Sequence, residues 1–403
     1  MPAPALPMLS ATTRSSRAIM RTESPAHAPL VAMNPRYPVL DGLRGAAAFA
    51  VLFYHLRNLS AADRPAWAGS VFASGYLAVD LFFVLSGFVI AHAYGERLGK
   101  TLGIRQFLRA RFIRLQPVIA IGTLIGLGVA LSCRILGLPD APGLFAIVTS
   151  LPANLMMLPN LLVPWGIFLF NPPAWSLFYE LIANGAYAAA MCRQPRTVPK
   201  RPAANDHFLV AIALAGLIGV AVSASVLGDL DRGVVLSDWP VALARITFSF
   251  TIGLLLHRSR DRWLTKTPDL AMPYLLAACL ILLAPEWSGG ARAIYDVGFV
   301  VFASPMLVML AARSTLHGRW SRVATQLGIV SYPLYAVHAP IKHLIETFFP
   351  TTFLSLLALS AGVSVLVAIV VGYVIDPALR AWICERTRLR APSRDLMPMR
   401  DRA

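Results

Sequence analysis

The chain has 403 residues, of which 57% are hydrophobic and only 14% charged, with a formal net charge of +16. Soluble domains run nearer to 45–50% apolar and about 25% charged, so a soluble enzyme is excluded. The basic excess lies in short loops between apolar runs, which argues for membrane topology and against a nucleic-acid partner.

Residues 1–36 carry Arg14, Arg17 and Arg21 among Pro, Ser and Ala, without the apolar stretch of a signal peptide, and read as a disordered cytoplasmic lead. Apolar runs then predict membrane helices near 39–58, 74–94, 116–137, 174–192, 207–228, 240–257, 270–286, 293–312, 326–347 and 354–378. The expected fold is all-α: a polytopic bundle of about ten spans over residues 37–378, followed by a basic tail at 379–403. The apolar stretch 143–160 is short and broken by Pro152 and Pro159, so it reads as an eleventh span, a re-entrant segment or a loop on the outer surface.

Charge chooses between these. With ten spans and both termini in the cytoplasm, one inner loop holds Arg97, Lys100, Arg105, Arg109, Arg111 and Arg114, and the next two hold Arg193, Arg196, Lys200, Arg201, Arg258, Arg260, Arg262 and Lys266. The outer loops keep isolated cations such as Arg57, Arg64, Arg134, Arg232 and Arg292. An eleventh span would invert every later loop and put most basic clusters outside.

Ionisable groups inside a membrane helix are costly, so each is a functional candidate. The first span holds Asp41, Arg44 and His55. Eleven residues separate Arg44 from His55, about three turns and roughly 16 Å, which returns them to one helix face. A snorkelling Arg and an interfacial His are the plain alternative. Asp80, Glu180 and His338 are expected at the depth of His55, one polar group from each of four helices. Ser86 and Gly87 follow Asp80 a turn deeper, where small residues permit close approach. Arg111 and Arg114, at i and i+3, share a face at the inner mouth. They suit an anionic phosphate, although topology alone would also explain them. The four cysteines lack CxxC spacing and no ligand-spaced cluster appears, so no metal is expected.

DGLRG with the later His in the first helix, GYLAVDLFFVLSGFVI, RFIRLQP, PAWSLFYEL and SYPLYAVHAPI together resemble the bacterial acyltransferase 3 membrane family. The motifs stand in the family's order from about residue 37 to 378, with Gln116 and Asp376 as small departures. The resemblance implies an inner-membrane O-acyltransferase, in a form without an appended esterase-like domain. It would use acyl-CoA, most simply acetyl-CoA, as donor substrate, hold no permanent cofactor, and acylate a carbohydrate or other hydroxyl acceptor. It implies that Arg44 and His55 are essential, that Arg111 and Arg114 form the arginine pair, and that Ser86 and Gly87 belong to the small-residue motif.

On that reading His55 is the general base, oriented by Asp80 in preference to Glu180. His338 positions the acceptor or donates to the oxyanion, and Arg44, Arg111 and Arg114 hold the donor phosphates. Acceptors such as a surface polysaccharide, a lipo-oligosaccharide or a macrolide-type alcohol stay open. The rival is a transporter or flippase of an acyl donor or lipid-linked sugar, which would call for paired inverted halves with broken helices. No such pairing is visible in the sequence.

Overall fold

In lipid, a backbone must satisfy its own hydrogen bonds, and a run of about twenty apolar residues does so locally as a helix. The computed structural model describes residues 37–139, 141–193, 203–316, 318–349 and 351–386, and these form helices and loops with no β-strand among them. The expected lead at 1–36, the basic residues Arg196, Lys200 and Arg201, and the tail beyond 386 lie outside the described residues.

The helices are α1 (Pro38–Leu56), α2 (Ala78–Tyr94), α3 (Ile104–Ile135), α4 (Leu144–Leu155), α5 (Ala174–Arg193), α6 (Ala203–Leu227), α7 (Trp239–Trp263) and α8 (Met272–Leu283). Next, α9 (Gly289–Gly298) runs through a π turn at Phe299–Ala303 into α10 (Ser304–Arg313). Then follow α11 (Arg319–Phe348) and α12 (Phe353–Val370), the latter continuing through a second π turn at Val371–Ile375 into α13 (Asp376–Arg386). Seven helical stretches are long and apolar enough to cross a membrane by length and composition. Two further helices, α5 with 20 residues and α11 with 30, are not among these seven. The protein is a multi-pass membrane helical bundle.

The stretch at 143–160 resolves into α4, a helix of 12 residues. At 1.5 Å per residue it is about 18 Å long, as is the 12-residue α8 in the span expected at 270–286, and both fall short of the roughly 30 Å of a bilayer core. The chain then turns back irregularly, and asparagines serve its backbone. Asn154 Nδ2 donates to the Ile167 carbonyl at 3.2 Å, and Asn160 Oδ1 accepts from the Leu162 N–H at 3.0 Å. Irregular backbone at membrane depth is tolerated where protein buries it in this way. Asn171, just before α5, donates to the Ala336 carbonyl in the middle of α11 at 2.9 Å. That carbonyl is free because Pro340, four residues on, has no N–H to offer it. As a result α5 starts well inside the bundle.

Small residues set the closest helix approaches. A Cβ on Gly45 of α1 would lie 2.5 Å from that of Leu327 in α11. Gly87 of α2 and Gly253 of α7 face each other's helix so closely that a Cβ on Gly87 would fall on the Phe250 carbonyl oxygen. Gly87→Ala is therefore expected to cost about 1–3 kcal/mol by overpacking. Thermal melts of the detergent-solubilised protein check this, with Gly128→Ala, which has open space around it, as the neutral control.

Candidate active site

Two imidazoles meet in the bundle interior. His55, one residue before the end of α1, and His338, from the middle of α11, have ring centroids 5.0 Å apart at an interplanar angle of 37°. The meeting follows from the tight α1–α11 packing that Gly45 and Gly328 allow. His338 is fully buried, and its Nδ1 lies 3.0 Å from the Leu334 carbonyl. A carbonyl only accepts, so Nδ1 carries the proton and Nε2 presents a lone pair. That Nε2 is buried without a hydrogen-bond partner among the described residues. His55 is of intermediate burial as a residue. One turn before His338, the Tyr335 hydroxyl lies 2.7 Å from Ser176 Oγ of α5, and its ring is 5.9 Å from that of His338.

A second polar tier lies further toward the α2 C-terminus. Glu180 Oε1 accepts from Ser86 Oγ at 2.7 Å and from Arg111 Nη2 at 2.8 Å. A charged donor on a carboxylate with an added hydroxyl is the arrangement that makes a largely buried ion pair tolerable. Arg114, one turn on in α3, is half-buried, and its carbonyl accepts from Arg380 Nη2 at 2.9 Å. Arg380 in turn pairs with Asp376 four residues earlier, so α13 steadies this end of α3. Arg44 pairs with Asp41 within α1 at 2.8 Å.

The third polar group is the tightest. Arg245 of α7 and Asp80 of α2 are both fully buried, with Nη2 to Oδ2 at 2.6 Å and Nε to the same oxygen at 3.1 Å. Arg245 also donates to the carbonyls of Leu230 at 2.7 Å, Arg232 at 3.3 Å and Tyr76 at 3.1 Å. It thereby fastens the α6–α7 loop to α2. The Tyr54 hydroxyl donates to Asp231 of that same loop, beside His55.

Three expectations change here. Asp80 is committed to Arg245 and Ser249 rather than to His55. Glu180 is not level with Asp80. It bonds Ser86, six residues or about 9 Å along α2, because α5 starts inside the bundle. Gly87 is used for α2–α7 packing, while its neighbour Ser86 faces Glu180. Of the four polar groups expected at one depth, only His55 and His338 come together. The spacing reading also passed over Arg245 inside an apolar run, although the rule that flagged Asp80 would have flagged it. Tyr335, Ser176 and Asp231 carried no such signal, since hydroxyls and loop carboxylates are common. Among the described residues no group of three or more His, Cys, Asp or Glu is gathered as for a metal.

A family model described as an acyltransferase domain, acyltransferase 3, matches residues 37–375. The chain is 40% identical over 168 residues to protein 2 in the picA locus of Rhizobium radiobacter, covering 38% of this chain and 81% of that one. It is 26% identical over 320 residues to acyltransferase MdmB of Streptomyces mycarofaciens, covering 75% of this chain and 78% of the relative. Over 84 residues it is 40% identical to the peptidoglycan O-acetyltransferase OatA of Listeria monocytogenes, which is 20% of this chain and only 12% of that protein. No solved structure matches.

Proposed function

The chain belongs to the acyltransferase 3 family, and from that membership we propose that it moves an acyl group, in the first instance acetyl, from acyl-CoA in the cytoplasm to a hydroxyl of an exported or surface carbohydrate. The observation that carries this reading is the imidazole pair of His55 and His338, the latter with an unpartnered buried Nε2. Acyl transfer to an alcohol needs a base that can reach the hydroxyl proton, and an imidazole suits this near neutral pH.

In the proposed reaction His55 takes the proton from the acceptor hydroxyl as its oxygen attacks the thioester carbonyl. The tetrahedral oxyanion collapses, the C–S bond breaks, and the coenzyme A thiolate leaves with the proton that the imidazole returns. His338, buried and fixed through Leu334, holds the His55 ring in place. The Tyr335 hydroxyl, one helical turn from His338, is assigned to the oxyanion. The hydroxyl acceptor would enter from the outer side, and the donor phosphates would rest at the inner mouth on Arg114 and Arg44, in a ten-span topology with both termini in the cytoplasm. Arg111 faces Glu180, so its share in donor binding is to hold that mouth in shape rather than to grip phosphate.

The test is acyl transfer from labelled acetyl-CoA by the purified chain in detergent, where transport has no meaning. Arg114→Gln is expected to raise the donor KM about tenfold, the loss of one charged hydrogen-bonding contact. The acceptor KM should stay within twofold. An equal rise in both would remove Arg114 from the donor site, and absence of transfer with every acceptor and donor tried would favour a carrier role.

A further inference from the structure

The end of the bundle at which α1 finishes holds a polar cavity and an apolar groove that share one helix. The cavity, about 60 Å³, is lined by Arg57, Ser74, Tyr76, Glu286, Trp287 and Arg292. It lies one side chain away from the imidazole pair, because the Arg57 guanidinium sits 4.5 Å over the Tyr54 ring and that ring is 5.1 Å from His55. Arg57 Nη1 donates to the carbonyls of Gly69 and Ala73 at 3.2 and 3.3 Å, yet its Nε is buried without a partner. An unsatisfied guanidinium N–H in a polar cavity calls for an anionic acceptor atom. Arg292, the second cation, is held by Asp229, Asp231 and the Tyr76 hydroxyl.

The groove begins on the other side of the Trp287–Tyr295 ring pair, whose centroids are 5.5 Å apart. It measures about 490 Å³ and runs past Leu282, Tyr295 and Gly298 to Phe302 and Met306, with almost wholly apolar walls. The π turn at Phe299–Ala303 lies within it and bends the regular α-helical wall. From Ile294 to Met306 the groove follows the helix for about 18 Å, a little more than half the thickness of a bilayer core. Its volume is in the range of small-molecule sites. A polar cavity with two arginines beside an apolar groove of about half a bilayer's depth suits an amphiphile with an anionic head and a long chain.

We propose that this composite site binds a lipid-linked carbohydrate, its chain in the α9–α10 groove and its anionic linkage at Arg57, which delivers the sugar hydroxyl to His55. The proposal deepens the acyl-transfer reading and rests on it for the fate of the headgroup, whereas the binding itself does not depend on it. Lateral entry from the outer leaflet follows, since Ile294, Phe302 and Met306 are open on the lipid side.

The experiment uses the full chain in nanodiscs with an isoprenyl phosphate carrying a photoreactive diazirine on its chain, followed by mapping of the labelled residues. The expected label falls on α9 and α10, around Tyr295, Phe302 and Met306. It should be displaced by unlabelled isoprenyl phosphate but not by inorganic phosphate or isoprenol at the same concentration. Gly298→Trp is the decisive variant, because nothing lies within 4 Å of a Cβ there and the indole would occupy the groove. It should cut labelling at least tenfold while leaving the melting temperature and acyl transfer to a small water-soluble alcohol within twofold. In Arg57→Gln the preference for the phosphate over isoprenol should vanish. Label spread evenly over all lipid-facing helices, or unchanged by Gly298→Trp, would reduce the groove to a place filled by bulk bilayer lipid and overturn the proposal. Focused labelling in a chain that transfers no acyl group would support the binding site and count against the enzyme reading alone.

Discussion

His55→Ala is expected to lower acyl transfer by roughly 10²–10⁴-fold, the usual contribution of a positioned general base, with little change in thermal stability. His55 is not fully buried as a residue, so the loss would be chemical rather than structural. His338→Gln should fall in the same range, although His338 itself sits behind His55 and is fully buried. If the two imidazoles act as a unit, the double variant will be hardly worse than the poorer single one, as for other groups that share one proton-transfer step. Independent roles would instead multiply the losses. Gln at 338 keeps a side-chain N–H for the Leu334 carbonyl, which separates loss of the ring from loss of the tether. A structural His338 would lower the melting temperature without changing how the rate depends on pH, and a positioning His338 would move that profile. Retained transfer in His55→Ala would remove it from the base role.

Why were the imidazoles legible in sequence and their neighbours not? Each of the ten apolar runs falls on a described helix, because in lipid the backbone has no alternative to helix over such a length. His55 and His338 stood out for a related reason: a titratable ring in an apolar run is expensive, so its presence alone is informative. Partners are different. Asp80 and Arg245 are 165 residues apart, and Ser86 and Glu180 are 94 apart, so nothing in local spacing links them. Depth along a span also misled, since Glu180 was placed as if α5 started at the membrane surface. The segment from Leu155 to Asn171 carries the chain inward before α5 begins, and only the Asn171–Ala336 contact reveals it. Short irregular segments at membrane depth have no hydropathy signature of their own. The proposed donor and acceptor sites suffer the same blindness, because they draw on side chains from helices that adjoin only in the fold.

Arg245→Ala is expected to destabilise the protein by about 3–5 kcal/mol, the cost of leaving the buried Asp80 carboxylate without its partner. In practice this is a chain that fails to accumulate in the membrane or melts far below the parent in detergent. The stabilising role of the pair and its positioning role can be separated. Asp80→Leu with Arg245→Met replaces both charges by apolar groups of similar bulk, and such replacements are often neutral or stabilising. The melting temperature should therefore return close to that of the parent. Acyl transfer should not, because methionine cannot donate to the Leu230 and Arg232 carbonyls that Arg245 now holds. The α6–α7 loop would then be free to draw Asp231 away from Tyr54, the residue beside His55. A double variant that recovers both stability and transfer would make the pair purely structural. A single Arg245→Ala chain as stable as the parent would mean that Asp80 finds protonation or water without cost, and the tether from bundle core to the α6–α7 loop would lose its physical basis.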